Sequence, residues 1–208
     1  MNKYQITFKT WDKIAALYQA KFMDLDLYND TYDLFCDLLS FDSSLLELGC
    51  GPGNVTKYVL SKHPDLNVLA TDISPNMLAL AKNNNPTANF KILDTRKINE
   101  LNMHFDSVLC GFCLPYLSWS DAEKLIQDSF QILNDNGVLY LSVIEGDYSK
   151  SGFETGSTGD KCYVYYHSSE TLIQCLKNSG FEVVHVIRKD YPKGDMMDSH
   201  LILIARKG

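Results

Sequence analysis

What the sequence is short of already narrows the field. No stretch of the 208 residues approaches the ~20 consecutive apolar positions of a membrane-spanning helix. The opening Met1-Asn2-Lys3-Tyr4-Gln5 also lacks the apolar run of a signal peptide, so we expect a soluble, cytoplasmic protein without membrane partners. Basic clusters are scarce and short, pairs such as Arg188-Lys189 and Arg206-Lys207 in a chain of net charge −7, which argues against a broad nucleic-acid surface and for a small-molecule substrate. No H-E-x-x-H occurs, and His63, His104, His185 and His200 show no metal-ligand spacing, so no metal is expected. Cys110-Gly111-Phe112-Cys113 has no second C-x-x-C to complete a zinc site, and it closes a strand pattern where a redox pair would open a helix. The other cysteines, at 36, 50, 162 and 175, mostly fall inside apolar patterns, as buried reduced thiols do.

What is present is organised around residues 45–56, Leu45-Leu46-Glu47-Leu48-Gly49-Cys50-Gly51-Pro52-Gly53-Asn54-Val55-Thr56. The first half is an apolar strand with an acid near its end, and the second is a glycine cluster leading into a helical pattern. Glycines at alternate positions let the backbone curl and keep side chains out of the turn, while the next helix offers unpaired N–H groups to a nucleotide-like ligand. A dinucleotide fingerprint would need glycine at position 54; Asn54 stands there, and the third glycine comes one residue early at Gly53.

Two more strand patterns end in acids. Asn67 to Asp72 closes on Asp72, about 20 residues past the glycines, where one carboxylate can accept both hydroxyls of a ribose. Ser74-Pro75 then restarts a helix as N-cap and first helical residue, with Met77, Leu78 and Ala81 on its apolar side. Phe90 to Asp94 is the third such strand. Glu47, Asp72 and Asp94 thus share one edge of a parallel sheet.

The pattern E-x-G-x-G-x-G resembles motif I of the class I S-adenosylmethionine-dependent methyltransferases, and the likeness runs along nearly the whole chain. Trp11-Asp12-Lys13-Ile14-Ala15-Ala16-Leu17-Tyr18 is similar to that family's Y/F-D-x-x-A-x-x-Y entry segment, which caps the cofactor. The resemblance implies S-adenosylmethionine as cofactor, Asp94 as acceptor for the adenine amino group, and a binding set of Tyr18, Glu47, Gly49, Cys50, Gly51, Gly53, Asp72, Ile73, Met77, Asp94, Thr95 and Cys110. In the fourth strand, Phe105 to Phe112, the asparagine or aspartate with two prolines and an aromatic that marks nucleobase amino methylation is absent. That lowers the case for a nucleic-acid methyltransferase.

The expected fold is α/β: one domain over 1–208, with cap helices in 1–42 and, in 43–208, a Rossmann-like, doubly wound seven-stranded sheet, mostly parallel with one antiparallel strand near its edge. Trp11, Ile14, Ala15, Tyr18 and Phe22 mark one amphipathic helix, and Tyr28, Tyr32, Phe35 and Leu39 a second. Ser120-Asp121-Ala122-Glu123 reads as a capping box. The Gly/Ser/Thr-rich stretch Glu145 to Asp160 reads as a mobile substrate lid or a disordered insert, and a turn around Pro192 and Gly194 separates the last two strands. Methyl transfer from a sulfonium needs positioning more than a triad; if a base is used, His167, Tyr166, Tyr116 and Tyr18 are the candidates. A nicotinamide-dependent oxidoreductase and a non-catalytic S-adenosylmethionine-binding module are the alternatives, and the sequence leaves the oligomeric state open.

Overall fold

A computed structural model describes residues 2–194 and 196–208. Three helices, α1 (Lys3–Lys13), α2 (Ala15–Phe22) and α3 (Asn29–Cys36), precede the alternation β1 (Ser44–Leu48), α4 (Asn54–Lys62), β2 (Asn67–Asp72), α5 (Pro75–Asn84), β3 (Asn89–Ile92), β4 (Phe105–Cys110), α6 (Trp119–Ile132) and β5 (Leu133–Ile144). A small hairpin, β6 (Gly152–Thr155) with β7 (Lys161–Val164), leads to α7 (Ser169–Asn178) and the long closing pair β8 (Phe181–Lys193) and β9 (Met196–Lys207).

The main sheet has seven strands in the order β3-β2-β1-β4-β5-β9-β8. Only β9 runs against the rest, bonded antiparallel to β5 and β8, as the closing hairpin leads one to expect. Strand faces alternate between two apolar layers. Leu46, Val108, Leu139 and Leu203 pack on α6 and α7, whereas Leu45, Leu109, Tyr140 and Ile204 pack on α3, α4 and α5. Burial on both faces explains why these strands read as nearly unbroken apolar runs. The strand order reverses between β1 and β4, and the crevice beyond their carboxyl ends is where ligands settle in such sheets.

Four local readings change. The first amphipathic stripe is split at Ile14 (φ −99°, ψ 17°), so Trp11 belongs to α1 while Tyr18 and Phe22 belong to α2. The cap of α6 is Ser118, whose Oγ accepts from the Asp121 N–H; Ser120 is already helical. Pro192 lies inside β8, where an edge strand tolerates its missing N–H, so the strand runs on to Lys193 before the chain turns at Gly194. The fourth change concerns 145–160: residues 152–155 form β6, paired with β7, and α1 in turn holds β7 and Asp160. Thr10 Oγ1 donates to the Lys161 carbonyl at 2.6 Å, the Tyr163 N–H donates to Thr7 Oγ1 at 2.9 Å, and Lys13 pairs with Asp160 at 2.8 Å. No helix among the described residues is long and apolar enough to cross a membrane.

Candidate functional site

The glycine turn leaves β1 with Gly49, Gly51 and Gly53 all in the left-handed region, at φ 65°, 55° and 79°. Two of them answer distinct needs. Gly51 turns its N–H onto Asp72 Oδ2 at 2.9 Å. Gly53 sits against α5, where an added Cβ would fall 2.4 Å from Asn85 Nδ2, so it sets helix packing rather than lining the cleft.

Asp72 is held from two sides, accepting from Gly51 N and, through Oδ1, from Ser74 N at 2.8 Å. Desolvation pushes its carboxyl up from the ordinary range, opposed by those N–H groups. Ser74 Oγ caps α5 by accepting from Met77 N at 3.1 Å and donates to Asp12 Oδ1 at 2.6 Å, which pins α1 over the start of α5. The cleft so enclosed has a cavity volume of about 150 Å³, bounded by Gly49, Gly51, Asp72, Ile73, Met77, Asp94 and Thr95 below and by Tyr4, Trp11 and Tyr18 of the cap helices above.

Asp94 stands at the far end in the grip of Arg96, whose Nε approaches Oδ1 at 2.9 Å and Oδ2 at 3.2 Å while its Nη2 lies 2.5 Å from Oδ2. Although desolvation opposes it, this pairing holds the Asp94 carboxyl below its usual range. The guanidinium lies 4.2 Å from the centre of the Tyr4 ring, and Tyr4 Oη donates to Asp121. Arg96 therefore joins the cap helix to the end of β3.

A second, larger chamber of about 350 Å³ adjoins the first across Trp11, Tyr18, Gly49, Gly51, Phe112 and Tyr116, which line both. It is walled further by Phe22, Tyr28 and Tyr191, with His200, Lys193, Glu154 and Asp198 at its polar side. Phe112, at the seam, holds a left-handed backbone (φ 55°) uncommon for an aromatic residue, and its N–H donates to Ser142 Oγ at 2.7 Å. Burial holds the phenols of Tyr18, at about 12, and Tyr116, well above its ordinary value, in the protonated form. Glu47 is 2% exposed and accepts from Thr56 Oγ1; desolvation raises its carboxyl to about 8.

Of the residues singled out from the sequence, Tyr18, Gly49, Gly51, Asp72, Ile73, Met77, Asp94 and Thr95 come together around the first chamber. Glu47 and Cys50 line the second. Gly53 and Cys110 line neither; Cys110 is fully buried in β4, and desolvation drives its thiol well above the ordinary range. His167 is buried and lines a separate pocket with Trp119 and Tyr148, its Nε2 3.2 Å from the Leu114 carbonyl, and Tyr166 donates to Glu154 Oε1 at 2.9 Å. Neither faces the seam; of the base candidates, Tyr116 and Tyr18 do. Sequence reasoning missed Tyr4, Asp12, Arg96, Phe112 and His200 as site residues. The D in the entry segment was a usable signal for Asp12, whereas His200 carries none outside the fold.

Residues 45–137 match the family described as Methyltransferase domain. A malonyl-[acyl-carrier protein] O-methyltransferase of Acetivibrio thermocellus is 32% identical over 112 residues, which cover 51% of this chain and 38% of that protein. The chain thus spans well under half the length of such curated relatives. Among solved structures, the DhpI–SAH complex superposes with a TM-score of 0.76 at 18% identity, covering 99% of this chain and 97% of that one. A 1,6-didemethyltoxoflavin-N1-methyltransferase of Burkholderia thailandensis, with bound 1,6-didemethyltoxoflavin and S-adenosylhomocysteine, gives 0.73 at 19% identity, covering 98% and 88%. Fold, glycine turn and sequence match converge: residues 45–137 are similar to the methyltransferase domain, on a fold shared with solved S-adenosylmethionine-dependent methyltransferases.

Proposed function

We propose that the first chamber binds S-adenosylmethionine and that its methyl group passes to a small molecule in the second. The observation that carries this is the Asp72 carboxylate, fixed at the end of β2 by the Gly51 and Ser74 N–H groups and facing the cleft beside the glycine turn. The residues suit the cofactor: the turn presents backbone without side chains, Asp72 supplies an acceptor for a ribose diol, and Ile73 and Met77 offer apolar contact beside Asp94 and Thr95. When bound, S-adenosylmethionine supplies an activated methyl group on a sulfonium. The chain's own part is to orient the acceptor, exclude water with the cap helices, and leave an aromatic seam between the chambers. Relatives whose names give an acceptor include a malonyl-[acyl-carrier protein] O-methyltransferase, a trans-aconitate 2-methyltransferase and a 1,6-didemethyltoxoflavin-N1-methyltransferase, which supports a small molecule over nucleic acid. Six free thiols support a cytoplasmic setting for one domain spanning 1–208.

Titration calorimetry tests the reading. We expect saturable binding of S-adenosylmethionine and S-adenosylhomocysteine near micromolar, on the order of −8 kcal/mol, and no binding of NAD. Heat with NAD alone would overturn it. Incubation with isotopically labelled cofactor and a metabolite extract then finds the acceptor; label only in RNA or protein would refute the small-molecule part, and label nowhere would favour a binding module without transfer.

A further inference from the structure

The second chamber holds one polar group that binding the cofactor does not use. His200, on β9, is 6% exposed and packed among three rings, with Tyr191 stacked at 4.8 Å and 11°, Phe112 at 4.9 Å, and Tyr28 at 6.0 Å. Its Nδ1 lies 2.7 Å from Tyr28 Oη. Tyr28 is itself buried, and a buried phenol O–H needs an acceptor, which Nδ1 supplies. With the Tyr28 proton directed at Nδ1, the imidazole proton belongs on Nε2. That nitrogen is not sealed in the protein without a partner, and the ring lines the chamber. Phe112, in contact with the imidazole, also lines the cofactor cleft, so the donor stands one ring away from the seam.

We propose that His200 is a recognition donor for an anionic oxygen acceptor: its Nε2–H hydrogen-bonds a carboxylate carried on an apolar or planar body, with the tautomer locked by Tyr28. The inference rests on the methyltransferase reading of the same site and names its substrate class. The acceptor arrives already ionised, so no base is required. A carboxylate oxygen lone pair forms the new O–C bond as the carbon–sulfur bond breaks with its electrons kept on sulfur; the products are a methyl ester and a neutral thioether, and His200 keeps its proton throughout. The carboxylates on the chamber's polar side are already answered, Lys193 pairing with Glu154 at 2.8 Å and with Asp198 at 3.1 Å. Desolvation lowers the imidazole to about 4, so it stays a neutral donor above that pH, and Glu47 across the chamber is raised toward its uncharged form. The groups that face the ring are Tyr28, Tyr191 and, more distantly, Asp198 and Lys193; Lys189 is its cross-strand partner on β8.

The test uses the full chain and benzoate, phenol and benzylamine as probes, each titrated with and without saturating S-adenosylhomocysteine. We expect benzoate to bind at least tenfold more tightly than the other two, and His200→Phe to weaken benzoate at least tenfold while cofactor affinity stays within twofold. Nitrogen-15 NMR of the histidines, with His200 assigned through the variant, should show Nε2 protonated and Nδ1 unprotonated from pH 5.5 to 8. Tyr28→Phe should mix the tautomers and weaken benzoate several-fold, which keeps the test decisive if His200→Phe does not fold. Protonation on Nδ1, preference for benzylamine or phenol, or unchanged or absent benzoate binding would each overturn the proposal. Failure of S-adenosylhomocysteine to bind would instead strike the cofactor reading, with tautomer and benzoate affinity of the free protein still deciding this one.

Discussion

Replacing Glu47 with glutamine should make the protein more stable, and increasingly so as the pH rises. The carboxyl lies inside β1, 2% exposed, with Thr56 as its hydrogen-bond donor and no cation beside it, and desolvation lifts it from 4.5 to about 8. The folded value is raised, so the neutral acid is the form the fold prefers. Its contribution is fully present below pH 4.5 and is lost progressively as the pH climbs through 8. Each pH unit inside that window costs about 1.4 kcal/mol, so wild type should lose about 3 kcal/mol between pH 5.5 and 7.5 from this residue. Glutamine resembles the protonated acid in shape and still accepts from Thr56, but it does not ionise. Urea unfolding of wild type and Glu47→Gln at pH 5.5 and 7.5 measures the difference. The variant should gain on the wild type by about 3 kcal/mol across that interval, with equal m-values. Parallel stability curves would show that Glu47 ionises freely in the folded chain and would refute the reasoning.

Asp72→Asn should weaken S-adenosylhomocysteine by ten- to a hundredfold in calorimetry, because a charged acceptor contributes about 1.5–3 kcal/mol per hydrogen bond; unchanged affinity in a folded variant would move the ribose site elsewhere. Thr7→Val with Thr10→Val removes the two hydroxyls that bind β7 to α1 and should cost about 1–3 kcal/mol, with limited proteolysis cutting faster within 156–160. Gly53→Ala meets both a φ of 79° and Asn85 at 2.4 Å, so it should lower stability by about 1–3 kcal/mol in thermal unfolding and loosen cofactor binding. Arg96→Met should free the Asp94 carboxylate and release Tyr4, seen as faster hydrogen exchange over α1.

The parts legible in the sequence are those where the backbone itself imposes the residue. The glycine turn, the acid closing β2 and the Ser74-Pro75 start of α5 all answer local geometric demands, and each stands where its spacing indicates. The parts that escaped depend on partners distant in sequence. A four-residue strand such as β6 has too few positions to show alternation, and its hairpin is ordered by threonines about 150 residues earlier. The break at Ile14 has no glycine or proline to announce it. Asp94 could be placed at a strand end, but its capture by Arg96 is a side-chain choice that spacing does not contain. His200 lies in an apolar strand, and its meaning comes from Tyr28, 172 positions away.

Phe112 sits where chain geometry and side-chain chemistry ask for different amino acids. Its left-handed backbone is one that glycine or asparagine adopts with ease, and a glycine stands one residue too early, at 111, to relieve it. The aromatic ring, however, is the partition between the two chambers and a wall of the His200 pocket. A mutant library sorted only for heat resistance should therefore drift toward Gly or Asn at 112, while one sorted for discrimination among acceptors should keep the ring. The two enriched populations would separate at this single codon, making it a place where folding and selectivity can be tuned against each other.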